Sequence, residues 1–487
     1  METLNRMSDL TTTTPDGLTS AGSPPERLRN AAQVDGIIKR HPVLLILILG
    51  LIPRLALMVF FHDLPIRITD AQDYDRLATS LAETGSYVDK RGIPTSLRPP
   101  LYPAVVAGLY RMFGVHNLLA VHIFQTMLSL ITTVIVYWTA AEIYSLRVAV
   151  AAAAIFCFYP TLLGFNSQIL SEVLFTFFQS SVVLLATLVI KRDSLTGLVM
   201  LGIVLGLGAL TRSILWLFAP LLAAYLFLVR GPGLWNRFRC AAIPMTCFLL
   251  TIAPWAWRNT KLQETLTFID VMGGRNVMMG NYEFTPIERS WATVTEVTGD
   301  RAWNRVLSAA NPGYRDLTQG QIDKLAMSYG LRFALAHPGL SFQRSLVKFF
   351  NFWQLDRELI AGSVAGHFGQ LSKPTILTTA IVICATYVTV IFGAIFGAIA
   401  VPPADVRVRW MLVLTIVFPC LIHSIAFAHS RYHLPLIPIL SIYAAAAAMS
   451  WREVRRNRMF PLAAGMCMIF VLSWVREFIV VDLVHFR

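Results

Sequence analysis

About eleven long apolar segments, separated mostly by short polar connectors, constrain this chain more than any other feature. They run near 43–61, 117–140, 147–165, 169–190, 195–210, 214–229, 239–256, 375–400, 410–428, 434–450 and 460–482. Most approach the roughly 20 residues that an α-helix needs to cross a bilayer. Lipid offers the backbone no hydrogen bonds, so such segments must close their own as helices. The expected fold is an all-α polytopic membrane protein with about 11 transmembrane helices. Composition agrees, with 55% of the 487 residues hydrophobic and 14% charged. An ordinary soluble domain is about a quarter charged, so a typical soluble enzyme is excluded. The 29 glycines and 25 prolines follow no period, which excludes a collagen-like chain. Residues 1–40 are polar, rich in Ser, Thr, Pro and Gly, and lack the apolar core of a signal peptide. They read as a disordered cytoplasmic tail.

Charge placement gives the segments a direction. Lys and Arg number 41 against 28 Asp and Glu, a net charge of +13. On a soluble protein this would raise nucleic acid as a partner. On a membrane protein the reason is that Lys and Arg collect in cytoplasmic loops, and no nucleic acid is expected. With the N-terminus inside, the short inner connections carry Arg147, Lys191, Arg192, Arg230, Arg237, Arg239, Arg407, Arg409, Arg452, Arg455, Arg456 and Arg458. The short outer connections carry only Arg212 and Arg431. This asymmetry predicts an inside N-terminus and an outside C-terminus. The two long connections, about 62–116 and 258–374, then share the outer face, where sites on a rigid scaffold usually sit. Both carry amphipathic patterns expected to form interfacial helices. Tyr74, Leu77, Ala78 and Leu81 make one stripe. Leu325, Tyr329, Phe333 and Leu335–Ala336 make a second, before a break at His337-Pro338, and Leu346, Phe349, Phe350 and Trp353 a third. The six cysteines lie in or beside apolar runs and read as small core residues.

The outer face carries the candidate chemistry. Thr69-Asp70-Ala71-Gln72-Asp73-Tyr74-Asp75 follows the first apolar segment and opens a helix. Asp70, Asp73 and Tyr74 share a face at i, i+3 and i+4. Ordinary first-turn carboxylates favoured by the helix dipole give the same pattern. On the same side stand Arg98, Arg212, Arg258 and Arg431, rare cations where positive charge is avoided. Each alone reads as a snorkelling arginine; together they form a set of guanidinium forks suited to phosphate. Gly273-Gly274-Arg275 followed by Asn276 to Asn281 reads as a tight loop that approaches a ligand. Arg54 and Glu172 lie within apolar segments, where charge usually faces a cavity or a partner. They either line one outward-opening cavity or are satisfied separately. His429 and His433 stand at i, i+4, a possible metal pair with no evident third ligand.

Taken in order, these residues resemble a known family. Asp70-x-x-Asp73-Tyr74, Leu77-Ala78, Arg98-Pro99-Pro100-Leu101-Tyr102-Pro103, Gln168-Ile169-Leu170-Ser171-Glu172, Thr211-Arg212, Pro254-Trp255-x-x-Arg258-Asn259, Gly280-Asn281, His337-Pro338 and Arg431-Tyr432-His433-Leu434-Pro435 resemble the GT-C glycosyltransferases. The group in question is that of the protein O-mannosyltransferases and the lipid A aminoarabinose transferase, and the resemblance runs from about residue 43 to 450. It implies a GT-C-type domain over 41–487 and a polyprenyl-phosphate sugar donor. It also implies a glycolipid, polysaccharide or protein acceptor and inversion at the anomeric carbon. The active site would lie on the extracytoplasmic face of a plasma membrane, a bacterial inner membrane. The family's acid falls on Asp70, with Asp73 the nearest second acid. Arg98 matches the basic residue before Pro-Pro that contacts lipid phosphate. Arg212, Arg258 and Arg431 join it, and Tyr74, Glu172, Arg54, Asn281, Tyr432 and His433 line the substrate cavity. The family's acidic pair is interrupted here by Ala71, so a divalent metal is possible rather than implied, and no other cofactor is expected. A multi-pass transporter or lipid flippase is the alternative; it calls for coupling charges near mid-membrane and internal repeats.

Overall fold

The computed structural model describes residues 42–61, 64–290 and 299–482, so the expected tail, residues 1–40, lies outside the described part. The chain divides into Met1–Leu45 and Ile46–Arg487, and every contact below belongs to the second unit. Among the described residues the elements are helical, with an isolated bridge between Val88 and Pro94. Eight helices are long and apolar enough to cross a membrane: Pro42–Phe61, Leu118–Ile143, Glu172–Lys191, Leu234–Leu262, Lys373–Ala400, Val406–Ile425, Ser430–Met449 and Phe460–Val480. Three shorter apolar helices, Leu146–Cys157, Leu195–Thr211 and Ile214–Val229, lie in the remaining expected segments. The chain is an integral membrane protein. Ile48, Ile52, Val59, Leu250, Ile381 and Leu421 are exposed on these helices, as suits side chains that lipid tails solvate.

Local chemistry explains the departures from the expected segments. The segment 147–165 breaks into Leu146–Cys157 and Pro160–Phe165, with Tyr159 extended between them, because a residue before proline is driven out of the helical region. Leu195–Thr211 is glycine-rich for a packing reason. A Cβ on Gly202 would lie 2.3 Å from the Pro244 carbonyl oxygen, and one on Gly206 2.5 Å from Thr251 Cβ. Without them this helix presses closely against Leu234–Leu262. Helix ends that the charge count assigns to one side are neighbours in space. Lys191 and Arg192 meet Glu142, Arg230 and Arg239 meet Asp193, and the Tyr225 hydroxyl bonds the Arg407 carbonyl.

The two long connections pack as one layer at the opposite helix ends. Helix Thr69–Thr84 buries Ala71, Tyr74, Leu77 and Ala78 and stops at Gly85, which is left-handed at φ 70°. The Ser96 hydroxyl bonds Asn259 at 2.9 Å, its carbonyl accepts from the Val271 amide at 3.1 Å, and Thr95 and Ser96 both donate to Gln319 Oε1. The second stripe is half-buried on helix Gln319–Ala336, where Leu335 is exposed; the sealed positions are Gly320, Ala326 and Gly330. The helix ends before Pro338 as expected. The third stripe is divided: Trp353 is buried, Phe349 and Phe350 are half-buried and Leu346 is exposed. Helix Pro338–Phe352 buries Arg344, Lys348 and Asn351, while Leu346 and Phe342 are exposed. Its inward face carries polar side chains beside Phe352 because the carbonyls of Tyr282, Thr285, Ile425 and Glu288 need donors.

Candidate active site

The layer of connections and the helix ends beneath it enclose a cavity of about 180 Å³. Helix Thr69–Thr84 brings Asp70 and Tyr74, the turn before Pro99 brings Arg98, and Glu172 opens the helix Glu172–Lys191. Arg212 follows the end of Leu195–Thr211, and Arg431 and Tyr432 come from the bend after Val406–Ile425. Five charged residues spread over 361 positions therefore meet in one space.

Asp70 lies at the centre. Its Oδ1 accepts from Arg98 at 2.6 Å and its Oδ2 from Arg431. Arg98 also reaches Asp73 Oδ2 at 3.0 Å. Burial alone would raise the Asp70 carboxyl, but Arg431 and Arg98 outweigh it and hold it well below the usual carboxylate range. Glu172 is sealed. Its Oε1 accepts from Arg212 at 2.5 Å and lies 3.9 Å from Arg431 Nε. Its Oε2, like Arg431 Nε, has no hydrogen-bond partner among the described residues. Ser171 joins the two halves, accepting from Tyr74 at 3.2 Å and from Arg212 Nε at 3.1 Å. The Arg98 guanidinium lies 5.5 Å from the centre of the Tyr74 ring, a cation–π distance. Below the charged groups the lining turns apolar, with Phe175, Leu215, Phe218, Phe418 and Pro419.

These pairs can exchange partners. A phosphate presents oxygens to an arginine fork in the same way as a carboxylate. Arg98, Arg212 and Arg431 are held in the cavity by carboxylates and are available to an anion that replaces them. Among the described residues no group of three or more His, Cys, Asp or Glu is disposed to hold a metal. The acids that a metal would need, Asp70 and Asp73, face arginines instead.

Residues 97–257 match the family model described as dolichyl-phosphate-mannose-protein mannosyltransferase. The structure resembles the apo oligosaccharyltransferase of Archaeoglobus fulgidus with a TM-score of 0.50 and 15% identity, over 90% of this chain and 55% of that one. The likeness is one of fold. Two further similar structures are AglB from Archaeoglobus fulgidus with an inhibitory peptide and a dolichol-phosphate, and ArnT from Cupriavidus metallidurans bound to undecaprenyl phosphate. The first gives TM-score 0.48 and 13% identity over 90% of this chain and 55% of that chain. The second gives TM-score 0.48 and 15% identity over 88% and 62%. The chain spans about half the length of the archaeal enzyme that it matches. No curated protein sequence matches it.

Five of the expected site residues do not line the cavity: Asp73 stands beside it, bonded to Arg98, and the other four lie elsewhere. Arg258 does not line the cavity. Its guanidinium bonds the Thr95 carbonyl at 2.8 Å and Asn259 at 2.9 Å and packs 4.5 Å from the Trp255 ring, so it fastens the first connection to its neighbour. Arg54 is bonded separately, to the Gly50 carbonyl at 2.7 Å and Ser129 at 2.9 Å, and is not among the residues that line the cavity with Glu172. Asn281 ties the Val277 and Ile425 carbonyls, each at 2.9 Å, and accepts from Lys348. His433 is fully buried, with its ring nitrogens 2.7 Å from the Phe352 carbonyl and 2.7 Å from Asp356. His429 faces Glu358 at 3.5 Å, so the two histidines do not converge.

The cavity also contains Asp270 and His423, which the sequence reading passed over, and Asn276, from the stretch expected to approach a ligand. Asp270 and Asn276 line it from the second connection. Asp270 is surrounded by protein yet keeps some exposure because it opens into the cavity. Burial pushes its carboxyl up to about 6, against a hydrogen bond from Ser213 and another from the Met272 amide at 3.3 Å. His423 lines the cavity from helix Val406–Ile425. An ionisable residue inside an apolar segment was the signal that marked it. For Asp270 the signal was a lone acid between Ile269 and Val271.

Proposed function

We propose that this protein transfers a sugar from a polyprenyl-phosphate donor to a hydroxyl of a glycolipid, glycan or protein acceptor, with inversion, on the extracytoplasmic face of a bacterial plasma membrane. The observation that carries the reading is the convergence of Arg98, Arg212 and Arg431 with Asp70 on one cavity that is charged at one end and apolar at the other. The description of the matching family model, which names a lipid-phosphate sugar, supports the same donor. In this mechanism the donor phosphate draws Arg98 and Arg431 away from Asp70. The freed carboxylate accepts the proton of the acceptor hydroxyl as that oxygen bonds to the anomeric carbon. The bond from that carbon to the phosphate oxygen breaks, and the electron pair leaves with the phosphate, where the arginines stabilise the growing charge. Asp73 retains Arg98 during the exchange, and Tyr74 and Tyr432 line the sugar's path.

The test uses purified protein in lipid vesicles with undecaprenyl-phosphate mannose, glucose or arabinose, labelled in the sugar, and a membrane extract as acceptor. Release of undecaprenyl phosphate with label in the acceptor is expected. Passage of intact lipid-linked sugar across the vesicle with no release would instead identify a flippase and overturn the reading.

A further inference from the structure

We propose that His423 reads the sugar of the donor: its Nε2 accepts a hydrogen bond from a hydroxyl on the sugar carried by the lipid phosphate. This deepens the reading above and rests on it.

Three observations fix the imidazole as an acceptor aimed at the cavity. First, Nδ1 lies 2.9 Å from the Phe427 carbonyl oxygen. That oxygen only accepts, so Nδ1 carries the hydrogen, and the neutral ring leaves Nε2 as a bare acceptor. Second, the ring cannot turn freely. Tyr432 stacks on it at 4.3 Å and 19°, and Phe352 at 5.8 Å and 24°. Third, among the described residues Nε2 makes no hydrogen bond, yet it is absent from the sealed, unsatisfied atoms. It therefore meets the open space of the cavity that His423 lines.

The donor's chemistry selects the partner. Arg212 lines the same cavity as His423 while holding Glu172 at 2.5 Å. His423 thus shares the cavity with a cation assigned to the phosphate, where it can meet what that phosphate carries. A polyprenyl-phosphate sugar has three parts. Prenyl carbons do not hydrogen-bond, and the oxygens of an ionised phosphate only accept. Sugar hydroxyls alone can donate to a bare nitrogen. A site built to bond a hydroxyl rejects a ligand that lacks it, because the polar group is then left unpaired.

Two substitutions separate this role from a structural one. Asn at 423 keeps an amide donor where Nδ1 stands and has nothing where Nε2 stands. Gln reaches the Nε2 position with an amide oxygen and gives up the tie to Phe427. Binding to purified protein is measured with bare undecaprenyl phosphate and with undecaprenyl-phosphate mannose, glucose and arabinose. The wild type is expected to hold at least one sugar-bearing lipid more tightly than the bare lipid. His423→Asn should lose about fivefold to tenfold of that preference, the worth of one hydrogen bond, with affinity for the bare lipid unchanged. His423→Gln should keep most of it. Equal losses on bare and sugar-bearing lipids, or a larger loss in Gln than in Asn, would make His423 a structural residue and overturn the inference. A wild type that binds the bare lipid but prefers no sugar overturns the inference and leaves the phosphate site standing. A wild type that binds no undecaprenyl phosphate overturns both.

Discussion

Replacing Asp70 with Asn removes a negative charge that two arginines share. Arg98 keeps Asp73 at 3.0 Å, and Arg431 keeps Glu172 and Glu358, each at 3.9 Å. Neither cation is left without a carboxylate, so the variant should fold. Its chemistry should fail: without a carboxylate to take the acceptor proton, transfer is expected to drop by about 10²- to 10⁴-fold. Donor binding should move the other way. In the wild type a phosphate must displace Asp70 from Arg98 and Arg431. A charge-assisted hydrogen bond is worth about 1.5–3 kcal/mol net. The Arg98, Arg431 and Asp70 side chains are 24%, 16% and 22% exposed, so solvent screening favours the low end. Relief of about 1.5 kcal/mol corresponds to roughly tenfold tighter binding of undecaprenyl phosphate. The assay pairs single-turnover transfer with titration of a fluorescent undecaprenyl phosphate in lipid nanodiscs. Near-wild-type transfer would refute Asp70 as the base. Unchanged or weaker lipid-phosphate binding would refute the exchange of partners.

Four further outcomes are expected. Arg98→Ala should raise the KM for the donor about tenfold or more with little effect on the acceptor KM, measured by varying each substrate in turn. Arg258→Ala should lower thermal stability, seen as a lower Tm in detergent, while the donor KM of the folded fraction stays at the wild-type value. Asp270→Asn should raise Tm more at pH 8 than at pH 4.5. The native carboxyl is pushed up to about 6 from 3.8, so the folded state holds a proton that the unfolded chain releases, and stability falls as pH rises through that window. Gly280→Ala should abolish folding, read as lost expression, because its Cβ would lie 1.7 Å from the Ala426 carbonyl oxygen.

Two placements share one cause. The stripe Leu346, Phe349, Phe350 and Trp353 has helical spacing, and spacing alone cannot say which solvent the stripe faces. In the fold Leu346 is exposed, Phe349 and Phe350 are half-buried and Trp353 is buried, while Arg344, Lys348 and Asn351 turn inward. Likewise Arg258 and Arg431 look alike in sequence, each an arginine beside an aromatic residue at the end of an apolar run. One meets the Thr95 carbonyl and the other meets Asp70. The partner decides the role, and the partner lies far away in the chain.

The sequence by itself determined the membrane-embedded helices and the acidic first turn around Asp70. Hydropathy, proline breaks and first-turn carboxylates act within a few residues, so they are legible from the chain alone. Only the tertiary structure decided that Asp70 is shared between Arg98 and Arg431, that Glu172 enters the cavity while Arg54 does not, and that Asp270 and His423 complete its wall. Those outcomes depend on which groups remain unpaired once distant segments pack, and charges and hydrogen bonds settle that by distance in space rather than along the chain.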